Sequence, residues 1–163
     1  KLLQQTFDLP LSTTQLEDYA RKLGSDCAFF VQNRPQFCYE KGDQFEDIDL
    51  RLAGKHIVLV YPNLHISTAE AYAGVTPKRS AVDLREVFRR PVAEWREWVV
   101  NDFEEGLFKK YAILPQIKQQ LYDLGAEYAS MTGSGSTVYG IFEKAPELSN
   151  TFAQHTVWNG QLL

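Results

Sequence analysis

The chain has 163 residues, 44% hydrophobic and 13% aromatic, enough for one core or two small ones that bury roughly 70% of the unfolded surface. With 17 basic against 21 acidic residues and a formal net charge of −4, it lacks the positive footprint of a duplex-binding protein, so no nucleic-acid partner is expected. Its longest apolar runs, such as residues 57–61, fall far short of the roughly 20 residues that cross a bilayer, so no membrane span is expected either. Cys27 and Cys38 stand outside any metal-ligand or disulfide spacing; the expectation is two reduced cytoplasmic thiols and no protein-held metal.

Residues 1–7 already read as the body of an amphipathic helix, with no initiator Met or targeting signal ahead of them, which predicts a truncated piece of a longer chain. The apolar face of Leu2, Leu3 and Phe7 would then promote dimerisation of the truncated form. Ser12 and Gln15 form a capping-box pattern that opens a helix over 13–23, carried by Leu16, Tyr19, Ala20 and Leu23 and stopped by Gly24. Residues 36–40 alternate as a half-buried strand, and the charged run 41–49 reads as a polar turn before a domain boundary near 50–54. Residues 56–61 are a buried strand closed by Pro62, and Ser67 with Glu70 is a second capping box that opens a helix to about Ala73. Helical spacing follows over 83–88, 92–100, 102–111 and 116–124, with Trp95, Trp98, Phe103 and Phe108 as core residues. Extended runs at 126–131 and 137–142 flank a glycine turn, Pro146 opens a short helix to about Gln154, and 156–158 is a last edge strand. From residue 54 the order resembles a split βαβ sandwich with extra helices in its first crossover, giving an α+β fold.

Three segments could carry chemistry. Asp26 either caps the short helical stretch after it or serves as a catalytic carboxylate. Between two strands, residues 131–136 pack two glycines and three hydroxyls, so that Gly133, Ser134, Gly135 and Ser136 either make a plain hairpin or turn their N–H groups towards an anion. The segment 67–72 either is an ordinary capped helix or holds a polar ligand at Thr68 and stacks a planar ring on Tyr72. Lys78 and Arg79 add a compact positive patch of unassigned role. The three histidines show no metal spacing and read as surface or packing residues.

In this order, the segments 23–30, 67–72, 76–80, 101–104 and 131–136 resemble the GHMP kinase superfamily, and within it the 4-diphosphocytidyl-2-C-methyl-D-erythritol kinases. The resemblance implies a C-terminal remnant of the catalytic, ATP-binding lobe over 1–53. A ferredoxin-like, substrate-side domain with inserted helices follows over 54–163. It implies a cytoplasmic bacterial enzyme of non-mevalonate isoprenoid synthesis that transfers a phosphoryl group from ATP, with Mg2+, to the 2-hydroxyl of its small-molecule substrate. By the same resemblance Asp26 accepts the hydroxyl proton, Gly133–Ser136 face the phosphate or substrate, Thr68 lies near the methylerythritol portion and Tyr72 covers the cytosine. Two departures stand out. The glycine- and serine-rich ATP loop and a lysine near the N-terminus, both usual in the family, are absent here, so the 163 residues alone are expected to be inactive. Cys27 and Ala28 replace the usual Val-Pro after the aspartate, which removes a rigid φ at that turn. Another GHMP kinase, acting on homoserine or a sugar, and a noncatalytic ligand-binding module remain the alternatives.

Overall fold

Residues 1–78, 80–148 and 150–163 are described by the computed structural model, which divides into two units, 1–50 and 51–163. The first opens with α1 (Leu2–Thr6) and α2 (Thr13–Leu23). α2 starts as its capping box predicts: Ser12 Oγ accepts the Gln15 N–H at 3.2 Å while Gln15 Oε1 accepts the Ser12 N–H at 2.9 Å. It stops at Gly24, whose backbone is extended at φ 177°. A 3-10 turn, Ser25–Ala28, runs into α3 (Phe29–Gln32), which ends at left-handed Asn33. An antiparallel hairpin, β1 (Gln36–Tyr39) and β2 (Gln44–Asp47), closes the unit with Cys38 opposite Phe45. β2 corrects the polar turn predicted over 41–49. Phe45 is its one apolar residue, and the Arg21 guanidinium lies 5.7 Å from that ring, so a single side chain supplies the packed face. Ala28 is the one buried residue of the whole unit.

The second unit is built on four strands: β3 (His56–Tyr61), β4 (Tyr128–Met131), β5 (Val138–Phe142) and β6 (Thr156–Gln161). They form one antiparallel sheet in the order β4-β5-β3-β6, the ferredoxin-like arrangement. The first crossover, from β3 to β4, carries α4 (Thr68–Ala73), α5 (Leu84–Val87), a 3-10 stretch (Val92–Glu97), α6 (Asp102–Lys110) and α7 (Ile113–Asp123). The fold is therefore the expected α+β one with inserted helices.

One face of the sheet holds the main core. Val58 and Val60 of β3, Val138 and Phe142 of β5, and Ala129 and Met131 of β4 meet Leu114, Ile117 and Leu121 of α7. Those three α7 residues sit at helical spacing and are fully buried, so the helix stripe and the alternating strand residues close on each other. The other face of the sheet is aromatic: Trp95 lies 5.9 Å from Tyr128, which lies 6.0 Å from Tyr139.

Four expectations need correction here. The helix predicted over 92–100 is a 3-10 stretch that ends at Glu97. Its three-residue turn turns Val92 and Trp95 inward together. Trp98, expected in the core, follows that end and is 39% exposed, with the Arg90 guanidinium 5.5 Å from its ring. The helix predicted from Pro146 to Gln154 is not formed among the described residues, and Ser149 lies outside them. Successive tight turns replace it, with Thr151, Ala153 and His155 donating N–H groups to the carbonyls three residues back. One buried aromatic, Phe152, plugs the core there, with Leu148 packed beside it, and two apolar anchors do not make a helical stripe. β6 also runs on past Trp158 to Gln161, because Asn159, Gly160 and Gln161 keep pairing with β3.

Candidate functional site

In the first unit, Asp26 sits exposed inside the 3-10 turn between α2 and α3. The capping alternative is not what its side chain does. The turn's N-cap is Gly24, without a side-chain cap, and the Asp26 carboxylate instead accepts the Ser25 hydroxyl at 3.1 Å. The β1–β2 turn limits that carboxylate from one side. A Cβ on Gly42, which holds φ +81°, would stand 2.7 Å from Asp26 Oδ1, so only glycine leaves the carboxylate its place. Its charge reaches Cys38: burial, with Asp26 adding to it, pushes that thiol above its ordinary value.

In the second unit the glycine loop joins β4 to β5. The Gly135 N–H turns back to the Thr132 carbonyl at 3.0 Å, a tight turn whose first central residue, Gly133, takes φ +55°. Gly133 is exposed and a side chain there would meet nothing within 4 Å, so the loop is open to a ligand on that side. Gly135 is packed: a Cβ would meet Met131 Sδ at 2.7 Å and Ile66 Cδ1 at 3.6 Å. Ser136 is buried and donates its hydroxyl to the Leu64 carbonyl. Ser136 and Gly135 thus join the loop to the β3–α4 connection, while Gly133 and Ser134 form its accessible tip.

That connection leads straight into α4. Ser67 Oγ accepts the Glu70 N–H at 3.2 Å, which is the first half of the predicted capping box. The reciprocal half is missing, because Glu70 turns away to take Lys110 Nζ at 2.7 Å and the Tyr111 hydroxyl at 2.5 Å. Those two donors hold the Glu70 carboxyl below the ordinary carboxylate range. Thr68 is exposed at the first position of α4, and Tyr72, one turn on, is 65% exposed. The Tyr72 ring meets Phe103 in a T-shaped contact, with centroids 5.0 Å apart and planes at 81°.

Phe103 and its neighbours in the first turn of α6 are what the sequence did not single out as functional. β4 is an edge strand, and Met131 turns both its backbone groups off the sheet. Its N–H donates to Glu104 Oε1 at 2.7 Å and its carbonyl accepts Asn101 Nδ2 at 2.8 Å. Glu104 also accepts the Ser130 hydroxyl at 2.9 Å and Lys118 Nζ at 2.6 Å. The same Asn101 Nδ2 donates to the Gly133 carbonyl at 2.8 Å, inside the glycine loop. Asn before Asp-Phe-Glu is legible as a helix cap, and its Oδ1 does accept the Phe103 N–H at 3.0 Å. Nothing in the spacing signals where its two donors go. A cavity of about 420 Å³ opens beside this loop, with Asn101, Phe103, Ser130, Thr132, Gly133 and Tyr139 in its walls. A larger one, about 770 Å³, lies beyond Asn101 between α6 and α7; of the cations in its walls, Lys118 and Lys109 are paired with Glu104 and Glu105, and the Arg96 guanidinium lies 4.2 Å from the Tyr122 ring. Lys78 lines that second cavity; Arg79 lies outside the described residues.

Residues 83–155 match the family model described as GHMP kinases C terminal. The chain is similar to the 4-diphosphocytidyl-2-C-methyl-D-erythritol kinase of Cytophaga hutchinsonii, 44% identical over 157 residues, covering 96% of this chain and 57% of that protein. It is similar to the protein of the same name from Bacteroides thetaiotaomicron, 46% identical over 151 residues, covering 93% of this chain and 55% of that one. The chain thus spans little more than half the length of these relatives. Among solved structures, a 4-(cytidine 5'-diphospho)-2C-methyl-D-erythritol kinase shares the fold at a TM-score of 0.79 and 22% identity, covering 98% of this chain and 60% of that one. A homoserine kinase from Cytophaga hutchinsonii shares it more distantly, at 0.55 and 14%, covering 98% and 61%.

Proposed function

We propose that residues 83–155, which match the family model described as GHMP kinases C terminal, belong to that family, and that the chain is part of an ATP-dependent kinase that phosphorylates the 2-hydroxyl of 4-diphosphocytidyl-2-C-methyl-D-erythritol. The observation that carries this reading is the meeting, in the second unit, of an open glycine loop and an exposed tyrosine on one frame, the first turn of α6. A loop tip whose Gly133 and Ser134 N–H groups make no hydrogen bond among the described residues suits a phosphate or a phosphorylated substrate. An aromatic ring left 65% exposed suits a cytosine.

Asp26 supplies the remaining group. As the substrate oxygen bonds to the γ-phosphorus and the bond to the β–γ bridging oxygen breaks, its carboxylate takes the hydroxyl proton, and ADP leaves. The transition state is loose, so the alcohol becomes acidic late and an ordinary carboxylate suffices. The loop donors offset charge on the transferred group. Among the described residues no three His, Cys, Asp or Glu side chains gather to hold a metal ion; the Mg2+ that accompanies ATP would take most of its ligands from phosphate and water.

A first unit whose one buried residue is Ala28 has no core of its own, and we propose that residues outside this sequence complete that lobe and supply the main ATP-binding loop. The enzyme then works in the bacterial cytoplasm on small molecules. Among the described residues no helix is long and apolar enough to cross a membrane, and Cys27 and Cys38 are free. The test is turnover of 4-diphosphocytidyl-2-C-methyl-D-erythritol with ATP by the longer protein that carries this sequence. We expect measurable phosphorylation, a fall in kcat of at least tenfold for Asp26→Asn, about 1.4 kcal/mol of barrier or more, and none from residues 1–163 alone. Phosphorylation of homoserine or a sugar in its place would move the chain to another GHMP kinase.

A further inference from the structure

We propose that Asn101 is a positioning residue that aims the anion-facing N–H of Ser134, an inference that rests on the kinase reading above. Its carboxamide is almost fully committed. Oδ1 accepts the Phe103 N–H at 3.0 Å, and Nδ2 donates to the carbonyls of Met131 and Gly133, each at 2.8 Å. This pattern fixes which end is nitrogen, because a reversed amide would set its oxygen against two carbonyl oxygens.

The consequence follows from the peptide plane. The Gly133 carbonyl and the Ser134 N–H belong to one planar trans unit and point in opposite directions. Pinning that carbonyl towards α6 therefore turns the Ser134 N–H away from α6. Glycine at 133, with φ +55° and open space around it, would otherwise let the plane rotate. Met131, held at both its N–H and its carbonyl by Glu104 and Asn101, anchors the strand end from which the loop departs. Catalysis by preorganised donors gains from exactly such fixing, since a donor that must reorient during the reaction stabilises less. Asn101 touches no reacting atom in this scheme and acts through the loop.

Substitution separates this role from helix capping. Asn101→Asp keeps an oxygen for the Phe103 N–H, and aspartate caps as well as asparagine, but it puts a second oxygen against the two carbonyls. Asn101→Ser also keeps a capping oxygen and removes both donors without adding charge. In the longer protein that carries this sequence, both variants should lower kcat at least tenfold, with KM for the cytidyl substrate changed less than threefold and the melting temperature within a few degrees. Amide exchange at residues 132–136 should speed up while that of 104–108 stays unchanged. Unaltered kcat in both variants, unaltered loop exchange, or failure of both to fold would overturn the proposal. Should the parent protein turn over no substrate, the kinase reading fails, and loop exchange alone then decides whether Asn101 holds the loop.

Discussion

Tyr72 is a large ring left 65% exposed on a short helix, in T-shaped contact with Phe103. Because little of it is buried, Tyr72→Ala should cost the fold almost nothing. It should weaken binding of the cytidyl substrate by about 1–3 kcal/mol if a base stacks there, read as a rise in KM with kcat nearly retained. An unchanged KM would take Tyr72 out of the site. Residues of this kind are legible in a sequence as candidates, because an aromatic one turn after a capped helix start has few structural uses that need it exposed. Asn101 was not legible. Its visible pattern, Asn-Asp-Phe-Glu, says helix cap, and the cap is real; the use of its donors depends on a partner 30 and 32 residues away. Glu70 shows the converse. A capping box is a local competition, and a lysine 40 residues away and a tyrosine 41 away won it.

At the scale of elements, α6 holds the candidate site together. Its first turn grips β4 and the glycine loop, its middle touches α4, and its last turn reaches Glu70. The middle contact is backbone on backbone. A Cβ on Gly106 would lie 3.2 Å from the Gly74 carbonyl oxygen and 3.4 Å from its Cα, so neither neighbour can swing aside as a flexible side chain would. Gly106→Val is expected to destabilise the second unit by about 1–3 kcal/mol and to raise KM by displacing α4, measured by urea unfolding and steady-state kinetics. Stability and KM equal to the unsubstituted protein would show that the helices have room. The sequence reports such elements unevenly. α2, β3 and α7 were readable because a cap, a β-branched run or an apolar stripe fills each of them. β2 was hidden by charge, with Phe45 alone facing inward, and the 92–97 stretch was hidden because α-helical and 3-10 spacings coincide over two anchors, Val92 and Trp95.

Across the whole molecule, ion pairs set the pH range of stability. Lys110 with Tyr111 holds the Glu70 carboxyl down, Arg85 holds Asp83 down and Lys55 holds Glu143 down. Carboxyls depressed in the folded state add stability above their unfolded values and lose it as pH falls through the folded ones. Lys110, raised first by Glu70, and Lys55, raised first by Glu127, add stability below the ordinary lysine value and lose it as pH rises through theirs. The urea midpoint should therefore stay level from about pH 5 to about pH 8 and fall on both sides, the raised Cys38 thiol adding to the alkaline limb. Glu70→Gln should flatten part of the acid limb. A midpoint that climbs on acidification would contradict this assignment. The pairs lie at or near the surface, Lys55 and Glu127 being part-buried, so each contribution is small.

The strand edge at β4 has one more consequence. Side chains of Asn101, Glu104 and Tyr122, not another strand, occupy both outward groups of Met131 and the outward carbonyl of Ala129. Backbone pairing between molecules can then extend this sheet from the β6 rim at most. A sheet that can be joined on only one rim pairs two molecules about a twofold axis and does not itself propagate into a filament by strand addition.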